Sequence, residues 1–334
     1  MAPGIRRLQL PIDFPGLGHV NTYALEDKDG FALVDPGMPG EASWKMLLSR
    51  MDAAEIPLRH VHTVVVTHSH PDHFGGAGML AEEAGARVVS STLFKTPWDP
   101  TDLDDRELEA RDPAGGEADD DVRLPNFQRP TPWGGLTEGP PPERIAEMRA
   151  HWHDYMKWFR APQPTHRLDD ADHLTLAGRE WVALHTPGHT EDHLCLFDPT
   201  EGVLLSGDHV LPTITPHISG MVEGDPLRLF FDSLDRVAEL PGVTTVLPAH
   251  GLTFADLAGR VTAIKEHHDE RLERLLEIAD ETGWASVADL SHHLFQPRSW
   301  GSMAESETYA HLEHLRLRGQ AERREEAGLL LYRA

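Results

Sequence analysis

The segment Val61–His73 reads V-H-T-V-V-V-T-H-S-H-P-D-H, and it decides the fold. Its first seven residues are almost wholly apolar or β-branched, which predicts a strand buried on both faces. Histidines and a carboxylate follow where this strand would end. His68 and His70 point the same way in an extended chain, so both can contact one metal ion. The proline after them breaks the extended geometry, so Asp72 and His73 can contact a second ion nearby.

Four more acidic or histidine side chains follow predicted strands farther along the chain. They are Asp35 after the apolar run 31–34, His189 after 182–184, Asp208 after 203–205 and His250 after 243–247. Because ligand sites in α/β proteins assemble at strand ends, we expect these residues to meet the cluster at 68–73. Imidazole and carboxylate ligands suit Zn²⁺, and also Fe or Mn. Two ions about 3.5–4 Å apart need a bridging anion, a role that the lone carboxylate of Asp208 suits.

The composition is that of an acidic globular chain. Its 334 residues include 55 Asp or Glu against 30 Lys or Arg, which gives a net charge of −25. Such a surface repels phosphate backbones and anionic lipids, so we expect a small-molecule substrate and no nucleic-acid or membrane partner. The single cysteine, Cys195, excludes an intrachain disulfide, and its apolar neighbours predict a core residue. The N-terminal residues lack the apolar core of a secretory signal, so we predict a cytoplasmic protein.

Strand and helix signals alternate through residues 1–255, which predicts an α/β catalytic domain. An acidic segment at about 95–165 interrupts this pattern. It contains Asp-Pro, Gly-Gly and Asp-Asp-Asp sequences and predicts an irregular insertion. The end of the segment, residues 142–160, has apolar residues at helical spacing, and it is either a helix packed on the body or a lid over a cleft.

Residues 256–334 have a different character, because three helical segments followed by a β-hairpin are typical of a winged-helix domain. The segment that would be the recognition helix, Glu305–Arg318, has three acidic residues and two arginines. Residues 255–334 as a whole hold ten basic against fifteen acidic residues. Since DNA binding needs a basic face, we expect this domain to help shape the cleft or to support a homodimer.

The motifs resemble those of the metallo-β-lactamase superfamily, whose five motifs occur here in order over about residues 5–255. The resemblance implies a four-layer α/β fold, the αβ/βα sandwich, with the site at one edge. It implies two divalent metal ions, Zn²⁺ by preference and Fe or Mn as alternatives. It assigns two sets of ligands and a bridge between them: His68, His70 and His189; Asp72, His73 and His250; and Asp208 as the bridge. Asp35 would support the metal-binding loop.

The same resemblance implies a hydrolase. Many true lactamases have Cys where this chain has Asp208, so the motif set indicates glyoxalase-II-like enzymes instead. Two metal ions would lower the pKa of a bridging water, and the resulting hydroxide would attack a carbonyl carbon beside Asp72 and Asp208.

The C-terminal segment resembles the extension of a subgroup that includes thioester hydrolases and an endoribonuclease, so a small acyl thioester is the expected substrate. Four alternatives stay open. They are a lactonase, a phosphodiesterase or ribonuclease, a mononuclear-iron persulfide dioxygenase and, outside the enzymes, a winged-helix DNA-binding regulator.

Other histidines fall outside the motif set. His193 follows a predicted ligand by four residues, and we expect it to support a ligand rather than to bind metal. His217 lies in a proline-rich loop, where it either serves as a proton donor to substrate or bonds to backbone. Two further pairs lie in the helical tail and are expected to be solvent-exposed. They are His267-His268 and His292-His293.

Overall fold

Two β-sheets stacked face to face form the centre of the molecule in the computed structural model, which describes residues 2–13, 16–96, 128–137, 139, 141–150, 157–158 and 162–334. The first sheet has six strands, antiparallel from the first to the third and parallel from the third to the sixth. In spatial order they are β1 (Ile5–Pro11), β2 (His19–Asp27), β3 (Gly30–Val34), β4 (Val61–Val65), β5 (Arg87–Ser91) and β6 (His166–Leu168). Between β3 and β5 the chain forms the helices α1 (Glu41–Ala53), α2 (Pro71–Phe74) and α3 (Ala77–Ala84).

The second sheet has five strands, of which the last two in the chain pair in parallel and the others in antiparallel fashion. In spatial order they are β7 (His173–Leu176), β8 (Arg179–His185), β9 (Leu194–Asp198), β10 (Val203–Gly207) and β11 (Thr245–Pro248).

Alternate residues of the central strands face different cores. On β4, Val65 packs between the sheets in the same cluster as Val34, whereas Val64 faces Leu47 of α1 and Leu80 of α3. Side chains of a strand alternate between its two faces, and here both faces are covered. This explains why the sequence of β4 is nearly continuous in apolar residues, and the prediction of a strand buried on both faces is confirmed.

Most of the predicted acidic insertion at 95–165 lies outside the described residues, including most of 151–160. Of the predicted helix at 142–160, the structure describes α4 (Pro142–Ala150). The described residues 130–137 form turns and an isolated bridge, as expected of an irregular segment, but Trp133 among them is buried in the hydrophobic core beside the C-terminal strands. Its backbone oxygen accepts from the N–H of Leu330 at 2.9 Å, and its indole Nε1 donates to Glu305 Oε2 at 3.0 Å.

The outer face of the second sheet is covered by α5 (Pro226–Ala238) and α6 (Leu257–Thr282). Leu204 of β10 lies in one cluster with Phe230 and Leu275 of these helices, while its neighbour Leu205 faces the space between the sheets. The molecule is therefore layered helix, sheet, sheet, helix, as the four-layer prediction required.

The C-terminal segment contains the three predicted helices and the predicted hairpin. After α6 come β12 (Ala285–Ser286), α7 (Val287–Leu294), α8 (Ser302–Leu317), β13 (Glu322–Glu326) and β14 (Leu329–Arg333). The three short strands form a small sheet of their own. Leu290 of α7, Leu312 of α8 and Tyr332 of β14 share one hydrophobic cluster with the second sheet and α5. None of the described helices is both long enough and apolar enough to cross a membrane.

Candidate metal centre

The seven predicted ligands meet at one edge of the two sheets. Each lies just beyond a strand end, where the backbone turns away from its sheet. His68 and His70 follow β4, Asp72 and His73 lie in α2, His189 follows β8, Asp208 follows β10 and His250 follows β11. Residues about 180 positions apart in the chain thus share one site, as the sequence pattern predicted.

One group of ligand atoms converges around His70. His68 Nε2 lies 3.1 Å from His70 Nδ1, and His189 Nε2 lies 3.0 Å from the same atom. Asp208 Oδ2 lies 3.6 Å from His189 Nε2. The four ligand atoms all lie within 4.8 Å of one another. Three imidazole nitrogens and one carboxylate at this spacing can hold a divalent cation such as Zn²⁺.

A second group lies beside the first. His73 Nε2 is 3.5 Å and His250 Nε2 is 3.4 Å from Asp72 Oδ2. Asp208 also reaches this group, with Oδ2 at 3.5 Å from His73 Nε2 and Oδ1 at 3.3 Å from His250 Nε2. The carboxylate of Asp208 therefore lies between the two groups, in the position that the predicted bridging role requires.

In four of the histidine ligands, a hydrogen bond at Nδ1, the nitrogen that faces away from the ligand cluster, fixes the direction of Nε2, the nitrogen that faces into it. In each ring Nδ1 faces an oxygen atom to which it can donate, so that a neutral ring directs the lone pair of Nε2 at the site. The pairs are His68 Nδ1 with Thr67 Oγ1 at 3.1 Å, His73 Nδ1 with Asp35 Oδ2 at 2.9 Å, His189 Nδ1 with His217 O at 2.6 Å, and His250 Nδ1 with His19 O at 2.6 Å.

Four of the inner atoms are buried and have no hydrogen-bond partner among the described residues. They are Asp72 Oδ2, His73 Nε2, Asp208 Oδ1 and His250 Nε2. Buried polar atoms without partners are costly, and each of these atoms belongs to a residue type that binds divalent cations. The residues present therefore fit a pair of divalent metal ions.

The charge states of two of these residues, His70 and Asp208, also suit the binding of cations. Burial, together with the neighbouring imidazole of His189, lowers the pKa of His70 to about 3, so its ring is neutral and can bind metal. Burial opposes ionisation of Asp208, but the rings of His250 and His73 hold the pKa of its carboxyl well below the usual range. Asp208 is therefore an anion.

Asp35 supports the loop that carries the first ligands. Its Oδ1 accepts from the backbone N–H of Thr67 at 2.8 Å, and its Oδ2 accepts from Thr67 Oγ1 at 2.7 Å and from the ring of His73 at 2.9 Å. The backbone of Asp35 has a φ of 53°, and Thr22 Oγ1 donates to its carbonyl oxygen at 2.7 Å. One buried carboxylate thus contacts the ring of His73 directly, and it also contacts Thr67, which lies against the ring of His68.

His193 points its polar atoms away from the ligand groups. Its Nδ1 donates to Thr186 Oγ1 at 2.8 Å, so its Nε2 can accept from the backbone N–H of Asp208, 3.0 Å away. His193 thereby fixes the chain at the start of the loop that carries Asp208. That His193 supports a ligand stays a prediction.

The contact between Gly207 and His193 yields a test of this support. Gly207 has a φ of 50°, and a Cβ there would lie 2.6 Å from His193 Nε2. We expect Gly207→Ala to displace the Asp208 backbone and to lower kcat/KM by about tenfold or more, as loss of a residue that orients a metal ligand does. Steady-state kinetics and thermal melting would measure the effect.

Gly85→Ala provides the control, because Gly85 has a φ of 69° but open space where the Cβ would lie. It should cost about 1 kcal/mol of stability with kcat/KM unchanged. Equal kinetic effects of the two variants would contradict the role assigned to His193.

A cavity of about 610 Å³ opens directly onto the ligand groups. His70, Asp72, His189 and Asp208 line its floor. Its walls are mainly apolar, with residues from the connection between β1 and β2, the segment after β3, the loop at 211–217 and α8. His217 is in this wall, half-buried, and its Nδ1 lies 3.3 Å from Glu307 Oε2. The predicted candidate His217 is therefore at the cavity, although its backbone oxygen, not its ring, contacts a ligand.

The prediction for the histidine pairs of the tail is partly wrong. His292 and His293 are exposed as expected, but His268 is fully buried. Its Nδ1 donates to His311 Nε2 at 2.9 Å, and its ring contacts Phe230. His268 occurs at a core position of α6, and its spacing from Ile264 and Leu272 could have revealed this face.

Sequence reasoning also missed residues that hold the loop after β11. Asn21 Nδ2 donates to the carbonyl oxygens of Pro248 and Gly251, both at 2.9 Å, and Tyr23 Oη donates to Pro248 O at 2.8 Å. A signal was present, since Asn21 and Thr22 are polar residues between the apolar residues Val20 and Tyr23 of β2. Cys195 is a buried core residue, as predicted.

The comparison with known proteins decides the family. A model described as the metallo-beta-lactamase superfamily matches residues 15–250, which contain all seven candidate ligands. The chain belongs to the metallo-β-lactamase superfamily. As a member of this superfamily it is a metal-dependent hydrolase, and the recognition made from the motifs is confirmed at this level.

Similar members of the superfamily span most of this chain. A probable metallo-hydrolase of Bacillus subtilis is 25% identical over 326 residues, 92% of this chain and 91% of its own. A hydroxyacylglutathione hydrolase of Pseudomonas savastanoi is 34% identical over 249 residues, 74% of this chain and 66% of its own. The crystal structure of a metallo-beta-lactamase family protein from Thermus thermophilus is 29% identical, with a TM-score of 0.74 and 99% of both chains covered.

Proposed function

We propose that this chain hydrolyses thioesters of small acyl groups with the help of two divalent metal ions. The observation that carries the proposal is the apolar cavity that opens directly onto the two ligand groups. A volume of about 610 Å³ is within the range of small-molecule sites, roughly 300–1,000 Å³. Hydroxyacylglutathione, the compound in the name of one relative, is itself a thioester, which supports the same chemistry.

We assign His68, His70 and His189 to one metal ion and Asp72, His73 and His250 to the other, with Asp208 shared between them. Zinc is our preferred metal, since nitrogen and carboxylate ligands suit it, and Fe and Mn fit the same donors. When bound, the ions supply an activated water nucleophile and a Lewis acid that polarises the substrate carbonyl.

The chain's own residues orient the metal ligands and exclude water from the site. Asp35 and the backbone oxygens of His19 and His217 hold the ligand rings so that each Nε2 faces inward. The apolar wall formed by residues such as Leu17, Met38 and Ile214 binds the acyl chain and excludes water from around the carbonyl.

The cavity favours carbonyl substrates over phosphodiesters. Among the described residues that line it there is no Lys or Arg, whereas Asp13, Asp72 and Asp208 are present. Phosphodiester recognition relies on cationic or amide donors, so a nuclease activity has little support here. Lactones share the carbonyl chemistry and belong in the test as a competing substrate class.

Metal analysis with an activity panel tests the proposal. We expect the purified protein to bind two metal ions per chain and to hydrolyse butyryl or hydroxyacyl thioesters faster than lactones or bis-p-nitrophenyl phosphate. Dialysis against a chelator should remove both metal and turnover, and added Zn²⁺, Mn²⁺ or Fe²⁺ should restore them. Turnover that survives with less than one metal ion per chain, or a preference for the phosphodiester, would overturn the proposal.

Several finer assignments go with this proposal. The three helices and hairpin after residue 256 support a winged-helix domain, and we place its boundary with the catalytic domain near residue 255. The excess of acidic residues in this segment argues against a DNA-binding regulator. The cytoplasmic location and the homodimer stay predictions.

A further inference from the structure

One wall of the cavity is the loop at 209–217, and helices from the C-terminal segment hold it from outside. Arg260 of α6 donates from Nε to Leu211 O at 2.5 Å and from Nη2 to Ile214 O at 2.7 Å. Farther along, Ser306 of α8 accepts from the backbone N–H of Gly220 at 2.9 Å. Because Leu211 and Ile214 line the cavity, its shape depends on these helices.

The C-terminal helices also reach a side chain inside the cavity. His217 lines the cavity, and its ring Nδ1 lies 3.3 Å from Glu307 Oε2 of α8. The other carboxylate oxygen, Glu307 Oε1, accepts from the guanidinium of Arg271 on α6. Glu307 is buried, which opposes ionisation, but His217 and Arg271 lower the pKa of its carboxyl to about 2. A buried anion therefore lies behind the ring, fixed by a cation on the neighbouring helix.

We propose that Glu307 is a positioning residue for the hydrolysis: it holds the His217 ring so that Nε2 faces the substrate in the cavity. This inference rests on the proposed function for the identity of the substrate. It makes the segment after residue 256 a part of the active site, since both Glu307 and its partner Arg271 come from that segment.

What the His217 ring can do follows from which of its two nitrogens carries the proton. A carboxylate at Nδ1 holds the ring proton on that nitrogen, so Nε2 is left with a lone pair. Within the described part of the chain, Nε2 of His217 has no hydrogen-bond partner. It can accept from an amide N–H or a hydroxyl of the substrate, groups that thioesters of peptide-like thiols and hydroxyacyl chains carry. Arg271 keeps the carboxylate from rotating away, which fixes the direction of the ring.

A double-mutant cycle tests this arrangement. We expect Glu307→Ala to lower kcat/KM for the best thioester of the panel by about tenfold, as loss of the residue behind an active-site histidine does. The double variant Glu307→Ala with His217→Asn should be no slower than His217→Asn alone, because the carboxylate acts through the ring. Glu307→Gln, which keeps an acceptor oxygen, should recover part of the loss. If the fold-changes in kcat/KM of the two single variants simply multiply in the double variant, the two residues act independently and the proposal is wrong.

Glu313 provides a matched control. It is a second buried carboxylate on α8, and it pairs with Arg316, Arg323 and Tyr332 Oη, away from the cavity. Glu313→Ala should lose comparable thermal stability but keep the wild-type kcat/KM and metal content. If Glu313→Ala slows the reaction as much as Glu307→Ala, the effect is a general loss of stability and the proposal is wrong.

A readout without turnover separates this inference from the proposed function. In zinc-loaded protein with ¹⁵N-labelled histidine, the ring signals of His217, identified by their loss in His217→Asn, should show a proton on Nδ1. They should change in Glu307→Ala and stay unchanged in Glu313→Ala. Unchanged signals in Glu307→Ala would overturn the positioning role. Changed signals in a protein that hydrolyses no thioester would leave the positioning intact and overturn the proposed function together with the contact to substrate.

Discussion

Replacing Asp208 with Asn is expected to lower kcat/KM by on the order of 10³-fold while leaving the fold largely intact. The carboxylate of Asp208 lies 3.5 Å from His73 Nε2, 3.6 Å from His189 Nε2 and 3.3 Å from His250 Nε2. An amide of the same shape carries no charge and places N–H donors against sites that need electron pairs. We therefore expect the Asp208→Asn protein to bind fewer metal ions, measured by mass spectrometry of the metal content beside steady-state kinetics.

Asp198→Asn is the matched control for this variant. Asp198 is another fully buried carboxylate, at the end of β9, where it accepts from Arg179 and from the turn at residues 200–201. It is outside the cavity lining. Its replacement should lower thermal stability without changing kcat/KM or metal content. Wild-type turnover with two metal ions in the Asp208→Asn protein would show that the shared carboxylate has been misassigned.

Replacing Asp35 with Ala is expected to weaken both metal binding and the fold. The change removes the acceptor for three buried hydrogen bonds, two from Thr67 and one from His73. A buried donor left without a partner costs about 1–3 kcal/mol, and loss of a residue that orients a ligand typically costs about 10–100-fold in metal affinity. Alanine also tolerates the positive φ of this position less well than Asp or Asn.

The two effects on the Asp35 variants can be measured separately. Denaturant unfolding in excess chelator reports the loss of stability without metal, and competition with a chromophoric zinc chelator reports the affinity. Asp35→Asn keeps the shape, the backbone conformation and one acceptor oxygen, so it should fall between wild type and Asp35→Ala in both measurements. Unchanged zinc affinity in Asp35→Ala would rule out a supporting role for this carboxylate.

The ligand residues were predictable because their signal is local and strong. The segment from His68 to His73 holds four of the seven in six positions, and the others follow apolar runs that can only be strands. A strand buried on both faces, such as β4, is also readable from composition alone. The layered architecture was predictable from these elements together with the resemblance of the motifs to those of the metallo-β-lactamase superfamily.

The residues that sequence reasoning missed act through contacts between distant parts of the chain. Glu307 reaches His217 across 90 positions, and Trp133 reaches Glu305 across 172. Neither pair has a pattern in the sequence, because periodicity reports which face of an element is buried and not what it meets. His268 is a different case, because its helical spacing from Ile264 and Leu272 marks a buried face, although its partners Phe230 and His311 have no such signal.

The hydrogen bond from His250 to the backbone oxygen of His19 joins residues 231 positions apart, and Asn21 bonds to Gly251 over a similar separation. Contacts between such distant residues form late in folding, because a long stretch of chain must be ordered first. During translation, a nascent chain that has exposed Asp208 but not His250 outside the ribosome has six of the seven ligand residues and an incomplete second group. Full assembly of the centre therefore waits until residue 250 has left the ribosome.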